Sequence, residues 1–270
     1  HGKGFYSRLF YTIEARRLGI AFAGPDVNGE ALAFAAANHL IHVPLAQVKG
    51  ISDGLPGRIR STQPFASLSD FWRRCAPHAD EAMALLRAGA FDAFGASRTE
   101  QFWELRSLAP WSEGQGLLLE TKGPALPALR TEPDRLERLR DEMELLGFTA
   151  SGHPVELFPE IAWETYCPVG KLRDFAGRRV TTCGLVVAQR LHHQSDGRAM
   201  KFISICDRTD ILECELFADA YRRGGGVIAA HPVVEVTGFV QRLGNGTACA
   251  LRVENVRAPR ITTWGARPAA

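Results

Sequence analysis

The stretch RRVTTCGLVVAQRLHHQSDGRAMKFISICDRTDILECELF, residues 178–217, indicates the fold of the second half of the chain. Apolar and polar residues alternate through three runs within it, which is the period of half-buried strands. A short helical insert, ADAYRR, precedes two further alternating runs at 231–243 and 247–257. Five strands with a helix after the third predict a five-stranded oligonucleotide/oligosaccharide-binding (OB) β-barrel. The glycines at 224–226 follow the insert and are expected to form a turn.

The first half of the chain has a helical pattern with short interruptions, from residue 4 to about 106. In YSRLFYTIEARRLGI the apolar residues share one helix face, and Gly19 stands where that helix should end. Ser97 and Glu100 have the spacing of a capping box, so a helix should begin there. In TEPDRLERLRDEMELLG, Thr131 is the expected N-cap and Gly147 the expected end. The predicted fold class is therefore α+β, with several domains.

Composition places the chain among ordinary globular proteins. It has 270 residues, of which 46% are hydrophobic and 23% charged, enough for two or three compact units. No run approaches the ~18 apolar residues of a membrane-spanning helix, and the first residues lack the pattern of a secretory signal. We therefore expect a cytoplasmic protein without a membrane partner. The six cysteines form no CxxC pair, which favours reduced, buried thiols over a zinc site or a disulfide framework.

The distribution of charge points to the last third of the chain. The formal net charge is only +2, but residues 178–270 hold 13 basic and 8 acidic side chains. OB barrels bind nucleic acid through strands 2 and 3 and the neighbouring loops, by stacking bases on aromatic rings beside positive charge. The predicted contacts in the barrel are Arg190, His192, His193, Arg198, Lys201, Phe202 and Arg242. The alternative is that Phe202, Phe217 and Phe239 point inwards and fill a small barrel.

Two segments of the helical half have the pattern of helix-hairpin-helix motifs, LAQVKGISDGLPGRI and LLRAGAFDAFGASR. In such a motif the hairpin amides and the next helix N-terminus face one DNA phosphate. The predicted contacts are Lys49, Gly50, Ile51 and Ser52 in the first hairpin and Arg87, Gly89, Ala90 and Arg98 in the second. Ser52 stands where a second glycine is usual, so a purely structural helical hairpin stays an alternative. Since every contact is to a phosphate or a base face, no sequence specificity is expected.

The sequence lacks recognisable catalytic motifs. Metal-dependent phosphoryl transfer needs convergent carboxylates, and none lies on a predicted strand. P-loop, GxSxG, HExxH and GxGxxG patterns are also absent. We therefore expect this chain by itself to be non-catalytic.

Taken in order, these segments resemble one part of the bacterial C-family DNA polymerases, the family of the DNA polymerase III alpha subunit and its error-prone relatives. The resemblance runs from GFYSRLFYTIEARRLGI and PDVN through VKGIS, LLRAGAFDAFGASR and ELLGFTASGHPVELF to KFISICDRTDILECELF. It implies that the palm, with its catalytic carboxylates and Mg²⁺, lies outside this chain, which needs no cofactor of its own. The implied divisions are 1–43 for the end of the fingers, 44–106 for tandem hairpins, 107–130 for a linker, 131–177 for a helical connector, 178–260 for the OB domain and 261–270 for a tail.

The resemblance also implies partners. The family often carries a clamp-binding peptide in this linker, and Gln115, Leu118 and Leu119 have its spacing; an ordinary apolar patch is the alternative. Duplex DNA at the hairpins, single-stranded template at the barrel, the sliding clamp and error-prone accessory proteins are the expected partners, at the nucleoid. Replicative alpha subunits generally continue beyond the OB domain, so we expect the error-prone branch.

Three functions remain open from the sequence. The first is a DNA-binding, clamp-tethering region of a polymerase, and the second is that a DNA-directed DNA polymerase is present here only in part. In the third, the barrel and linker bind replication or repair proteins and do not contact DNA.

Overall fold

The computed structural model describes residues 6–31, 33–108, 132–193, 197–243 and 248–262. The chain divides into two compact units, one of residues 1–18 with 155–270 and the other of residues 19–154. We call the first the barrel unit and the second the hairpin unit. The barrel unit includes helix α1, Arg8–Arg17, which begins where the Ser7 hydroxyl accepts a hydrogen bond from the Phe10 amide. The helix ends before Gly19, whose φ is +78°, as the sequence predicts.

The hairpin unit begins with a small sheet in a region predicted to be helical. Its strands are β1 (Ala21–Ala23), β2 (Ala35–Ala37) and β3 (Leu40–His42). Strand β3 lies in the middle, parallel to β1 and antiparallel to β2. Asn38 and His39 both adopt positive φ between β2 and β3, the backbone of a tight hairpin turn. Helical propensity therefore misleads here, because this turn and its strand pairing override the preference of the alanines.

Five α-helices follow in the described part of the hairpin unit, and their order agrees with the sequence pattern. They are α2 (Leu55–Thr62), α3 (Leu68–Cys75), α4 (Ala79–Arg87), α5 (Arg98–Leu108) and α6 (Arg135–Leu146). The capping box of Ser97 and Glu100 is present before α5. The prediction of Thr131 as the N-cap of α6 is wrong, because Asp134 accepts from the Glu137 amide and caps it. The segment before the first hairpin is a single 3₁₀ turn, Leu45–Gln47, and not a full helix.

The barrel unit contains the five predicted strands. They are β4 (Arg179–His193), β5 (Ala199–Cys206), β6 (Ile211–Leu216), β7 (Val233–Leu243) and β8 (Ala248–Arg257). The barrel closes in the order β4-β5-β6-β8-β7; the β6–β8 pair is parallel and the others are antiparallel. With a helix after its third strand, this topology confirms the fold class predicted from the sequence. The interior is apolar, with Ile203, Ile205, Cys214 and Leu251 among its buried residues.

Helix α7, Ala218–Ala230, lies between β6 and β7 and runs through all three glycines at 224–226. The prediction of a turn at these glycines is therefore wrong. A Cβ at Gly224 would lie 2.9 Å from Cβ of Val256, so the glycine lets the helix approach β8 closely. This close packing outweighs the cost of ~1 kcal/mol that glycine carries inside a helix.

Candidate nucleic-acid interface

The outward face of β4 and β5 carries an aromatic ring with two basic side chains beside it. Phe202 lies opposite Arg190 in the strand register. The guanidinium carbon of Arg190 is 5.0 Å from the centre of the Phe202 ring, and the His192 ring centre is 6.4 Å from it. A ring beside positive charge can stack a base while the cations attract its phosphate. We call Arg190, His192 and Phe202 the stacking patch.

A β-bulge in β4 determines which of its side chains point outwards beside Phe202. The register of β4 against β5 shifts between Val186 and Ala188, which changes the alternation of inward and outward side chains by one residue. Before the bulge, Cys183 and Leu185 pack with Ile13 of α1 in a second core outside the barrel. After it, Ala188 and Arg190 are paired with the outward residues of β5. The bulge therefore separates the part of β4 that packs against α1 from the part that forms the stacking patch.

A cavity of about 320 Å³ lies beside the stacking patch. Its lining combines Arg190 and Phe202 of the patch with Tyr6 and Ser7 before α1, Ser204 of β5 and Glu213 of β6. Tyr6 is itself stacked on Phe10, with ring centres 4.1 Å apart. We call this cavity the groove. Tyr6, Ser204 and Glu213 were not among the residues predicted from the sequence.

The β6 side of the groove is acidic. Glu213 and Glu215 lie two residues apart on β6 and share its outward face, while Leu212, Cys214 and Leu216 are buried inside. Burial raises the pKa of Glu215, the neighbouring Glu213 raises it further, and Arg252 opposes both. The alternation of apolar and acidic residues in DILECELF predicts that these two carboxylates point outwards, because successive side chains of a strand lie on opposite faces.

The other barrel residues predicted to bind DNA lie at or near the ends of β4, β5 and β7. His193 and Arg198 are exposed on either side of residues 194–196, which lie outside the described residues, and Arg242 is exposed near the end of β7. Lys201 lies two residues from the buried Ile203 on β5 and therefore shares its face of the strand. Its Nζ lies 5.5 Å from the centre of the Tyr221 ring on α7. The structure therefore does not bring Lys201 to the side of the strand that carries Phe202.

All three phenylalanines considered for the barrel lie outside its buried core. Phe202 and Phe217 are half-buried, and Phe239 is 42% exposed. The guanidinium carbon of Arg252 lies 4.8 Å from the centre of the Phe217 ring. The alternative in which these rings fill the barrel is therefore wrong, because the aliphatic residues and cysteines of the strands fill it instead.

In the first hairpin, one carboxylate already occupies a backbone amide that was predicted to face a phosphate. The Ser52 amide donates to Oε1 of Glu81 at 2.8 Å, and the His78 amide donates to Oε2 at 2.8 Å. Burial pushes the pKa of Glu81 up, but hydrogen bonds from Ser52 and His78 outweigh it and the pKa lies below its ordinary value. Lys49 is exposed, with its amide donating to the Leu145 carbonyl.

The rest of the first hairpin has the expected backbone. Gly50 has a φ of +88°, which glycine adopts without strain. Ile51 is half-buried. The Lys49 side chain is thus the exposed basic group of the residues predicted in this hairpin, and the Glu81 carboxylate fixes the loop to the start of α4.

In the second hairpin, the two predicted arginines are held within the unit. The Arg98 guanidinium donates to both oxygens of Asp92, at 2.9 and 2.7 Å, and to the Arg87 carbonyl at 3.0 Å. A Cβ at Gly89, where φ is +83°, would lie 2.3 Å from Nη2 of Arg98. Arg87 donates to Asp141 and Glu144 of α6, and Ala90 is buried. This geometry favours a structural role for both arginine side chains.

Two further findings concern the part of the chain that the structure describes. No three His, Cys, Asp or Glu side chains there are grouped so that they could hold a metal ion. None of the helices described has the length and apolar character needed to cross a membrane. Gln115, Leu118 and Leu119 lie outside the described residues, so their predicted contact with a clamp has no structural description.

Comparison with known proteins gives the same family as the sequence. A helix-hairpin-helix motif model matches residues 19–101, most of the hairpin unit. DNA polymerase III subunit alpha of Thermus aquaticus is 30% identical over 78% of this chain and 19% of its own length. The Aquifex aeolicus subunit alpha is 25% identical over 90% of this chain and 21% of its own length. An error-prone DNA polymerase of Corynebacterium glutamicum is 27% identical over 98% of this chain and 25% of its own length.

These matches confirm the resemblance found in the sequence, since homologues at 25–30% identity over most of the chain are DNA polymerase III alpha subunits and error-prone DNA polymerases. The chain spans about a fifth to a quarter of the length of these relatives. Both branches of the family are among them, so the assignment to the error-prone branch stays a prediction.

Proposed function

We propose, from the homology of this chain to one region of the bacterial C-family DNA polymerases, that it is a DNA-binding region of such a polymerase. Single-stranded DNA binds at the stacking patch of the barrel unit, and duplex DNA binds at the first hairpin. Nucleotide addition belongs to a palm outside this chain. The observation that carries the proposal is the outward Phe202 ring with Arg190 and His192 beside it, a combination that binds single strands through stacking and charge.

The barrel arm of the proposal is tested by fluorescence anisotropy with a short labelled single strand at two salt concentrations. Phosphate contacts predict that binding weakens steeply as salt rises. Removing a stacked ring costs ~1–3 kcal/mol per base, so Phe202→Ala should weaken binding roughly 5- to 150-fold. Phe239→Ala is the matched control, because it removes an exposed ring from β7, and it should change affinity by less than about twofold.

The hairpin arm is tested with a labelled duplex. Lys49→Ala should weaken duplex binding and reduce the salt slope by roughly one unit, the signature of one lost phosphate contact. Arg140→Ala is the control, since Arg140 is an exposed cation on α6 with no predicted DNA contact. Equal effects of the two variants would argue against a specific phosphate site at the first hairpin.

Clamp tethering is the second part of the proposal. The spacing of Gln115, Leu118 and Leu119 supports it, since a short exposed peptide can dock leucines in an apolar pocket while a glutamine orients it. Surface plasmon resonance with immobilised bacterial clamp should show binding that a Gln115→Ala, Leu118→Ala, Leu119→Ala variant loses. If the chain binds no DNA at low salt, the protein-interaction function becomes the better explanation.

A further inference from the structure

The groove has two electrically different sides. Arg190 lines it from β4, with His192 two residues further along that strand, and Glu213 lines it from β6, with β5 between them. Neighbouring strands lie ~4.8 Å apart, so the basic and acidic sides are separated by about two strand spacings. A phosphate is attracted to the first side and repelled from the second. A nucleotide in the groove is therefore oriented with its backbone towards Arg190 and its base towards Glu213.

Ser204 and Glu213 form one hydrogen-bonding edge. They are directly paired across the β5–β6 ladder, which brings their Cβ atoms to ~4.5–5.5 Å, and both line the groove beside Phe202. An ionised carboxylate only accepts hydrogen bonds, whereas a serine hydroxyl can donate one. A base stacked on Phe202 thus meets two acceptor oxygens next to one donor.

Guanine complements this edge better than the other bases do. Its Watson–Crick edge presents two adjacent donors, N1–H and the N2 amino group, beside the O6 acceptor. Thymine presents a single N–H between two carbonyl oxygens, and a carboxylate would repel both oxygens. We propose that the groove binds a guanine of single-stranded DNA, with Phe202 under the ring, Glu213 accepting from N1–H and N2–H, and Ser204 donating to O6. This inference rests on the proposed binding of single strands by the barrel.

The guanine preference departs from the absence of specificity expected from the sequence. The residues predicted there contact only phosphates and base faces, and Glu213 was not among them. Glu213 also excludes the phosphate backbone from the β6 side, so the same carboxylate fixes which way the base points. A good bidentate contact discriminates against the wrong base by roughly tenfold or more.

The test compares four single-stranded oligothymidines that differ only in the central base, which is guanine, adenine, cytosine or thymine. With the full chain, the guanine strand should bind roughly tenfold more tightly than the all-thymine strand. Glu213→Gln should abolish this difference, because a carboxamide cannot accept both donors. Its affinity for the all-thymine strand should stay the same or rise. Asp219→Asn is the control, since it neutralises an exposed carboxylate on α7 that does not line the groove, and it should keep the preference.

The outcomes separate this inference from the proposed function. Salt-dependent binding that is equal for all four strands would overturn guanine recognition and leave single-strand binding intact. A guanine preference that survives Glu213→Gln would also overturn it. Absence of binding to every strand at low salt would overturn the proposed function of the barrel itself.

Discussion

Arginines in the two units have different neighbours. In the hairpin unit, Arg87 and Arg98 donate to carboxylates and carbonyls of the same unit. In the barrel unit, Arg190 and Arg252 lie over the rings of Phe202 and Phe217. A carboxylate-bound guanidinium has its donors used and its charge compensated. A guanidinium over a ring places its positive charge beside a face on which a base can stack.

The same residue type therefore has two roles. Arginines of the hairpin unit hold its structure together, whereas an arginine of the barrel unit forms part of the proposed binding surface. In the second hairpin the arginines fix the loop against α5 and α6, and the DNA contact predicted for them from the sequence is better assigned elsewhere. In the barrel the arginine and the ring form one surface. Three substitutions test this comparison, in order of decreasing cost in stability.

The first test is Arg98→Ala. Arg98 is 8% exposed and its side chain donates three hydrogen bonds, so its loss should destabilise the hairpin unit by about 2–4 kcal/mol. Hydrogen–deuterium exchange should show faster exchange in peptides covering residues 79–108. Arg73→Ala is the control, because that arginine side chain is 78% exposed in a pair with Asp70, and it should change stability by less than ~1 kcal/mol.

The comparison would fail if Arg98→Ala left amide exchange unchanged and yet weakened duplex binding. Arg98 would then contact DNA as the sequence predicts, and its place beside Gly89 would not be needed for stability.

The second test is Glu81→Gln, which breaks the anchor of the first hairpin. A carboxamide would turn its amino group towards one of the two backbone amides that Glu81 now accepts from. We expect a loss of about 1–3 kcal/mol, seen as faster exchange of the Ser52 and His78 amides. Asp80→Asn, at an exposed neighbour on α4, should change stability by less than ~0.5 kcal/mol.

The pH dependence of this anchor has a definite sign. The pKa of Glu81 in the fold lies below its ordinary value of 4.5, so its stabilisation is present above about pH 4.5 and is lost as the pH falls through the lowered pKa. Glu81→Gln should remove this part of the acid dependence. An unchanged acid profile would mean that the carboxylate does not hold the hairpin.

Much of the fold follows from the sequence because its local signals agree with the tertiary structure. The five barrel strands are predicted from alternation alone, since one face of each is buried in a closed barrel. Features that depend on contact between distant residues are not predicted. Helix α7 continues through Gly224 because it packs against Val256, and β1–β3 depend on pairing between short segments that each look helical or irregular.

The candidate site also has a part that the sequence predicts and a part that depends on tertiary structure. Phe202 and Arg190 were predicted because aromatic residues near an OB loop stack bases and basic residues there attract phosphates. Glu213 was not predicted as a site residue. The alternation around it indicates that it points outwards, but the sequence does not show which outward residues line a cavity. Tyr6 was missed because it is brought to the groove with α1, which packs against the barrel through Ile13. The bulge in β4 cannot be read from the sequence either.

The third test concerns an arginine that lies over a ring and contacts a carboxylate as well. Arg260 has its guanidinium carbon 5.0 Å from the Tyr166 ring centre and its Nε 3.4 Å from Glu235. The Tyr166 hydroxyl donates to Glu235 at 3.0 Å and accepts from the Arg260 amide at 2.6 Å. Tyr166→Phe should cost the barrel unit about 1 kcal/mol at pH 7, measured by chemical denaturation. Tyr221→Phe, which alters a half-buried tyrosine on α7, should cost less than ~0.5 kcal/mol.

The alkaline pH profile distinguishes this hydrogen bond from simple packing. Burial and the contact with Glu235 raise the pKa of Tyr166 from 10.0 to about 12, although the Arg260 amide opposes the shift. The stabilisation is therefore complete below pH 10 and is lost as the pH rises to about 12. Burial also raises the pKa of Cys183 to about 12, so Tyr166→Phe should make the loss shallower without abolishing it. An equally steep loss in the variant would mean that the phenol does not link Glu235 to Arg260. The contact of Arg260 with the Tyr166 ring would then be the interaction that matters.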